Sequence, residues 1–332
     1  MRDGQARVWM AGAAGVGLLA MAASTTVLAQ AKAPFSSRPV TVVAPYDPGG
    51  PIDIEARIFT KKSNELTGQQ YIIEYKPGAA TRIGVSYVAR ATPDGHTLLF
   101  TTGGFAILPV LFKNLTFDAI KDFAPVAQMS QQFTVFIVRP SFPAKNFAEY
   151  LTYAKANPGK VSYGMLGSGS SGHLAGAWLA GATNTTVNFI PYKGTGPAML
   201  DVTAERLDVL TAGLIAARPH IQSGKMRPLA MMNVVRSKLL PDVPTIAEQG
   251  VPSYGYTNWT GFFAPRATPA AAIARIADDF GAAARSKDVI DTLEAQGSVP
   301  IGNTPAQFTQ VVLTDIARWQ KIVQDNAIKV ED

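Results

Sequence analysis

The sequence predicts an α/β protein in which two mainly parallel sheets, each flanked by helices, share one chain that crosses over and returns. Three observations carry that prediction. Short β-branched or aromatic runs alternate with helical periodicity along the chain, the pattern of parallel strands covered on both faces. Two glycine-rich turns, at residues 45–51 and 167–172, each join a strand-like run to the start of a helix. Finally, 332 residues at 47% hydrophobic and 16% charged suffice for one large or two medium cores.

Residues 1–31 read as a secretory signal peptide. Arg2 and Arg7 give a positive start, residues 8–23 an apolar run, and Ala29-Gln30-Ala31 a small-x-small cleavage site. The run is short and alanine-rich for a membrane span. The mature chain is therefore expected to be soluble and periplasmic. Losing Arg2, Asp3 and Arg7 lowers the net charge of +6 by one.

The fold then starts with a buried strand at 40–44, stopped by the first glycine turn. A helix follows with Ile54 and Ile58 in register. Next come a strand at 70–75, a loop at 76–80, and a helix running from a Thr81 cap to Ala91 with Ile83, Tyr87, Val88 and Ala91 on one face. Pro93-Asp94-Gly95 is a turn in which proline presets φ and glycine takes the left-handed position. A strand at 96–102 ends in Gly103-Gly104-Phe105. The run 133–138 is the first crossing.

Between 139 and 259, Asn146 and Glu149 resemble a capping box, opening a helix that Pro158-Gly159 closes. A strand at 161–166 leads into the second glycine loop and a helix at 174–181. A strand at 187–191 leads into another glycine turn, with Pro197 at the first helical position. A strand at 207–212, a helix carrying His220, and a strand at 227–233 follow. Thr245 and Glu248 form a further capping box closed by Gly250. Residues 259–265 cross back, and three helices start near Thr268-Pro269, Asp288 and Thr304-Pro305. The first lobe is thus expected at 38–136 and 260–332, the second at 137–259.

Composition removes several functions. Without cysteine there are no disulfides, thiolate chemistry or Cys-based metal sites. His96, His173 and His220 lack ligand spacing, so no metal is expected, and no cofactor. Lys and Arg are scattered, which gives nucleic-acid binding little support.

Strand, glycine turn, helix is the arrangement that leaves backbone N–H groups free at a helix N-terminus, where anions bind. For the loop Gly167-Ser168-Gly169-Ser170-Ser171-Gly172-His173, three readings compete. The dinucleotide fingerprint fits the spacing but lacks the acidic residue expected about 20 positions on. A serine hydrolase fails the G-x-S-x-G pattern because His173 stands where the last glycine belongs, though Ser170 or Ser171 with His173 keeps an exported esterase or amidase as the alternative. The third reading is a neutral cradle of amides and hydroxyls, and the signal peptide favours it.

Several motifs carry a family resemblance. Gly49-Gly50-Pro51-x-Asp53-x-x-Ala56-Arg57, Pro93-Asp94-Gly95-x-Thr97-Leu98-Leu99, Gly167-Ser168-Gly169 with His173-Leu174, and 191–198 (Pro191-Tyr192-Lys193-Gly194 onward) resemble the Bug-type solute receptors of tripartite tricarboxylate transporters. So do the run from Leu240 to Gly250, Trp259-x-Gly261 and Ala264-Pro265. The match runs in order over essentially the whole mature chain. One departure is Ala79-Ala80-Thr81-Arg82, where the family has a second glycine-rich turn.

The resemblance implies a two-lobed, Venus-flytrap periplasmic binding protein (type II-like), monomeric and not an enzyme. It implies delivery of a small organic carboxylate, whether dicarboxylate, tricarboxylate or aromatic acid, to membrane permease subunits. Carried over, Gly49, Gly50, Pro51, Ile52 and Asp53 line one cleft wall, and Gly167, Ser168, Gly169, Ser170, Ser171 and His173 the other. Thr101, Gly103, Thr195, Gly196 and Asp201 complete the pocket. Plainer roles stand beside these. Asp53 is read first as the partner of Arg57 one turn on, Asp201 as ordering the loop after Gly196, and Tyr46 as cleft wall.

A dedicated cation is not required. A helix N-terminus stabilises an anion by about 0.3–1 kcal/mol, up to about 2 when partly buried. Each hydrogen bond to a charged group adds about 1.5–3 kcal/mol. Two helix ends with a few such bonds reach about −8 kcal/mol, micromolar binding, after association costs. Lys193 is then dispensable, and Gly169 is where a side chain does most harm.

Overall fold

The computed structural model describes residues 38–165, 170–192 and 194–325. The expected signal peptide, and Gly167, Ser168, Gly169 and Lys193, lie outside the described residues. In chain order the elements are β1 (Val40–Ala44), α1 (Pro51–Thr67), β2 (Tyr71–Tyr75), α2 (Arg82–Ala89) and β3 (Thr97–Thr102). After a 3₁₀ turn (Gly103–Ile107) come α3 (Leu108–Leu111), β4 (Phe123–Gln132), β5 (Thr134–Val138), α4 (Phe147–Ala156), β6 (Ser162–Met165) and α5 (Ser171–Thr183). Then follow β7 (Asn188–Pro191), α6 (Thr195–Thr203), β8 (Val209–Gly213), α7 (Leu214–Gln222) and β9 (Arg227–Met231). The chain ends with β10 (Asn258–Pro265), α8 (Ala270–Ala284), α9 (Lys287–Ala295), β11 (Ser298–Pro300) and α10 (Pro305–Asp325).

The strands form two sheets, one ordered β11-β4-β10-β3-β1-β2 and the other β7-β6-β8-β5-β9. The pairings are mixed rather than mainly parallel. Where a helix returns the chain, neighbours are parallel, as in β1 with β2 and β3, and β6 with β7 and β8. Strands that enter a sheet from the other one come without a covering helix and pair antiparallel. These are β10 against β3 and β4, and β5 against β8 and β9. Phe133 alone separates β4 from β5. Its N–H donates to Gly297 O at 3.1 Å, and its carbonyl accepts from Leu214 N at 2.8 Å. All five residues of β5 pair in the second sheet, so the expected division at 136/137 falls inside a strand.

Both faces of the first sheet are buried, so alternate residues feed two cores. Val40, Val42, Leu98, Phe100 and Phe262 pack under α1 and α8, with Phe262 stacked on Phe280 at 3.9 Å. Val43, Leu99, Phe105 and Phe263 face the other way, toward Phe308 and Trp319 of α10. Gly261 sits where a Cβ would stand 2.3 Å from the Phe308 ring, so only glycine lets α10 lie this close. A third cluster, including Val135, Leu210, Leu214 and Met231, fills the second sheet's outer face. Among the described residues, no helix is long and apolar enough to cross a membrane.

Local signals held where the chemistry is local. Asn146 accepts from Glu149 N at 2.9 Å, and the Glu149 carboxylate accepts from Lys145 N at 2.7 Å. Ahead of α10, Thr304 N donates to Gln307 Oε1 at 3.0 Å and Gln307 N donates to Thr304 Oγ1 at 3.3 Å. At Thr245 and Glu248 the box forms but opens only a short 3₁₀ turn, Ala247–Gln249. Two expectations need correcting. Pro197 is the third residue of α6, still within the first turn where its missing N–H costs nothing. Thr81 does not cap α2 with its side chain: its φ is +74°, following Ala79 at +48° and Ala80 at +52°.

Three successive non-glycine residues in the left-handed region each cost about 1–2 kcal/mol. Arg82 holds the loop: its Nε donates to Ala79 O at 2.9 Å, and its guanidinium lies 4.1 Å from the Phe112 ring centroid. Ala79 and Ala80 are exposed, so replacing them loses no packing. Ala80→Gly is expected to raise stability in urea denaturation by about 1 kcal/mol, and Ala79→Gly with Ala80→Gly by about 2. Unchanged or lower midpoints would show the loop to be unstrained.

Candidate functional site

The turn after β1 is shaped by one carboxylate. Asp53 is the third residue of α1 and is almost fully buried. Its Oδ2 accepts from Gly49 N at 2.8 Å; its Oδ1 accepts from Arg57 Nε at 2.9 Å and from the Tyr75 hydroxyl at 2.6 Å. Gly49 takes φ +86°, open to glycine and strained for other residues. Burial works against the Asp53 charge, but the bonds from Tyr75, Gly49 and Arg57 more than offset it and hold its pKa below 3.8. With both oxygens engaged, Asp53 positions the turn rather than receiving a ligand. At the start of α1, the N–H groups of Ile52 and Asp53 have no carbonyl partner within the helix.

The adjoining end of β3 supports that turn. The Tyr46 hydroxyl lies 3.0 Å from the hydroxyls of both Thr101 and Thr102, tying the β1 loop to β3. Thr101 is fully buried, so it braces Tyr46 from behind and does not face the cleft. Gly103 is also buried. A Cβ there would stand 3.3 Å from Trp259 Nε1, which donates to Asp315 Oδ2 at 2.7 Å.

In the second sheet, Ser170 is the N-cap of α5, its hydroxyl accepting from His173 N at 3.2 Å. Ser171 hydrogen-bonds the Tyr256 hydroxyl, whose pKa burial pushes up to about 12 with Ser171 opposing. The His173 ring is 5.0 Å from Phe189, and burial holds its pKa below 6.5. Ser170 therefore serves His173 through the backbone, as a cap. Thr195 and Gly196 open α6. Asp201, further along, accepts from Tyr192 at 2.8 Å and Arg206 Nε at 2.9 Å, which orders the segment around α6.

A cavity of about 500 Å³ lies at the starts of α1, α6 and α7. Gly49, Ile52 and Glu55 reach it from the α1 side, Thr195 from α6, Gly213 to Ala216 from the start of α7, and Phe133 and Gly297 from the crossing. Of the residues expected at the site, Gly49, Ile52 and Thr195 are brought together here. Gly103, His173 and Asp201 are not among its lining residues. Glu55, Gln132, Phe133 and the α7 start were not anticipated. A signal for α7 was present, since Gly213 stands between a strand and a helix as Gly50 does. Another cavity, about 680 Å³, lies around Arg38, Asp94 and His96, at the opposite end of β1 and β3 from the glycine turns. In open α/β sheets, ligands bind beyond the carboxyl ends of the strands, which singles out the first cavity. No cluster of His, Asp or Glu among the described residues is arranged to hold a metal.

Known proteins place this geometry. A solved periplasmic binding protein, BugD, superimposes with a TM-score of 0.75 at 30% identity, over 89% of this chain and 99% of its own. A protein of R. palustris with adipate superimposes at 0.77 and 31% identity, over 89% and 99%. A UPF0065 protein from the tcbD-tcbE intergenic region of Pseudomonas sp. (strain P51) is 34% identical over 92% of this chain and 91% of its own. The fold is that of a two-lobed periplasmic binding protein. The model of the tripartite tricarboxylate transporter family receptor matches residues 55–328, and the chain belongs to that family.

Proposed function

We propose that this receptor captures a small organic carboxylate between its lobes in the periplasm and hands it to the membrane subunits of a tripartite transporter. The observation that carries this reading is the meeting of the α1, α6 and α7 N-termini on one cavity of about 500 Å³. A similar protein is solved with adipate, which fits a carboxylate ligand. The lobes divide at the two crossings, Phe133 and the segment before Asn258. Residues 1–31 act as the export signal, and the mature receptor works as a monomer. Ligand is held mainly by backbone N–H groups and hydroxyls of the glycine turns after β1 and β6, without a cationic anchor.

A thermal-shift screen of aliphatic and aromatic carboxylates tests the reading. A bound acid is expected to raise the melting temperature and to be recovered chemically unchanged. Recovery of hydrolysed esters, lost in Ser170→Ala, would establish the hydrolase instead.

Asp53→Ala orphans the Gly49 N–H and the Tyr75 hydroxyl. Hydrogen bonds to a charged group are worth about 1.5–3 kcal/mol, so a stability loss of that order is expected. Calorimetry is expected to show weaker ligand binding as well, because the turn loses its shape. The stability that Asp53 supplies is present above pH 3.8 and is lost as pH falls through its lowered pKa. A variant with unchanged stability and affinity would remove Asp53 from this role.

His173 has a pKa held below 6.5 and is neutral above that value. Affinity is expected to stay constant from about pH 7 to about pH 9, where His173 stays neutral. The contribution of neutral His173 to folding is present above pH 6.5 and is lost as pH falls through its lowered pKa. Affinity that changes steadily across that window, followed by calorimetry, would require a titrating group at the site.

A further inference from the structure

We infer that Asn233 is the positioning residue of the hinge: its side-chain amide bonds the backbone on either side of Phe133 and so biases the two lobes toward the arrangement seen here. Asn233 lies just beyond β9 and is 3% exposed. Its Oδ1 accepts from Thr134 N at 2.8 Å, and its Nδ2 donates to the Gln132 carbonyl at 2.9 Å. Phe133, the residue between them, is the whole of the first crossing. The inference concerns how the lobes sit and turn, and it holds or fails independently of which ligand they carry.

The two bonds belong to different lobes. Thr134 and Asn233 ride on the second sheet, where β5 pairs with β9 and Met232 N donates to Thr134 O at 2.9 Å. Gln132 ends β4 and is paired in the first sheet with Asn258 and Ser298. A turn of one sheet against the other therefore keeps the Thr134 bond and draws Gln132 away from Nδ2. The N–H freed in this way, at a buried position, loses its acceptor, and that loss weighs against the turned arrangement. The return is tied to the same point. The Met232 carbonyl accepts from Tyr256 N at 2.9 Å, just ahead of β10. The end of β9 thus sits between both crossings, and the Asn233 amide joins it to the first sheet's side.

The chain has no cysteine, so spin labels at Lys61→Cys on α1 and Lys225→Cys ahead of β9, both exposed, place one label on each lobe. Pulsed electron–electron distance measurements on the ligand-free chain then read the arrangement of the lobes directly. Asn233→Ala removes both bonds and is expected to raise the ratio of the minor to the main distance about fivefold, as the loss of about one hydrogen bond would. Asn146→Ala removes the cap of α4 within the second lobe and serves as a control that lowers stability elsewhere. It is expected to leave the distances as in the parent. In the parent itself, NMR is expected to show less protection from hydrogen exchange at Asn233 Nδ2 than at Thr134 N, because only the first bond spans the lobes. A folded Asn233→Ala with the parent's distances, or an equal shift in Asn146→Ala, would overturn the inference. Equal or reversed protection in the parent would overturn it too, and that measurement decides the matter if Asn233→Ala does not fold.

Discussion

The architecture depends on how the Glu55 carboxylate is satisfied. A buried charge without partners is not tolerated, and this one is met by four neutral donors. Its four donors come from three strands, Ser130 and Gln132 of β4, Thr260 of β10 and Ser298 of β11. Those are the strands that carry the chain to and from the other sheet or border that crossing. Each donor orphaned by losing the carboxylate would cost about 1–3 kcal/mol. Gln132 extends the network: its Oε1 accepts from Asn258 Nδ2 at 2.9 Å, and its backbone carbonyl accepts from Asn233 Nδ2 at 2.9 Å. Asn233 Oδ1 in turn accepts from Thr134 N at 2.8 Å. Helix α1 is thereby pinned to both crossing segments.

The same helix shapes the ligand turn. Asp53 and Glu55 are two residues apart, hence about 200° apart around the helix axis. Asp53 faces Tyr75 and the Gly49 turn, while Glu55 faces β4, β10 and β11. One helical turn therefore fixes the Gly49 turn on one side and the crossing on the other. The position of the α1 N–H groups relative to the α6 and α7 starts is set by these two carboxylates together, and neither is free to receive a ligand.

Legibility in the sequence followed the range of the interaction. The Asp53–Arg57 pair was readable because both residues lie on one helix face, one turn apart. The capping pairs at Asn146 and Thr245 were readable because each is complete within a few residues. The order of strands and helices, and the strand–turn–helix units, followed from periodicity and glycine placement. Glu55 was not readable as a pin, since its donors lie 75 to 243 residues away and nothing near position 55 announces them. The antiparallel crossing strands escaped for a related reason: alternating strands and helices describe what returns within a sheet, not what passes between two. Thr101 was expected in the pocket by family resemblance alone, but it is fully buried and its hydroxyl is bonded to Tyr46. Thr81 looked like a cap by residue type, yet the left-handed run before it turns its side chain away from the helix amides.

Phe133 is where fold and binding meet. Its N–H is held by Gly297 beside the first sheet, and its carbonyl by Leu214 at the start of α7. Phe133 also lines the cavity, with Ile54 and Ile215. Any rotation of one sheet against the other must turn about this single linking residue and about the return before Asn258. A ligand in that cavity would contact the element that such a rotation moves. A ligand shifts an equilibrium between arrangements only by the difference in its contacts with each. A ligand that touched both α1 and α7 would gain most where the two helices approach, so its contacts would favour that arrangement.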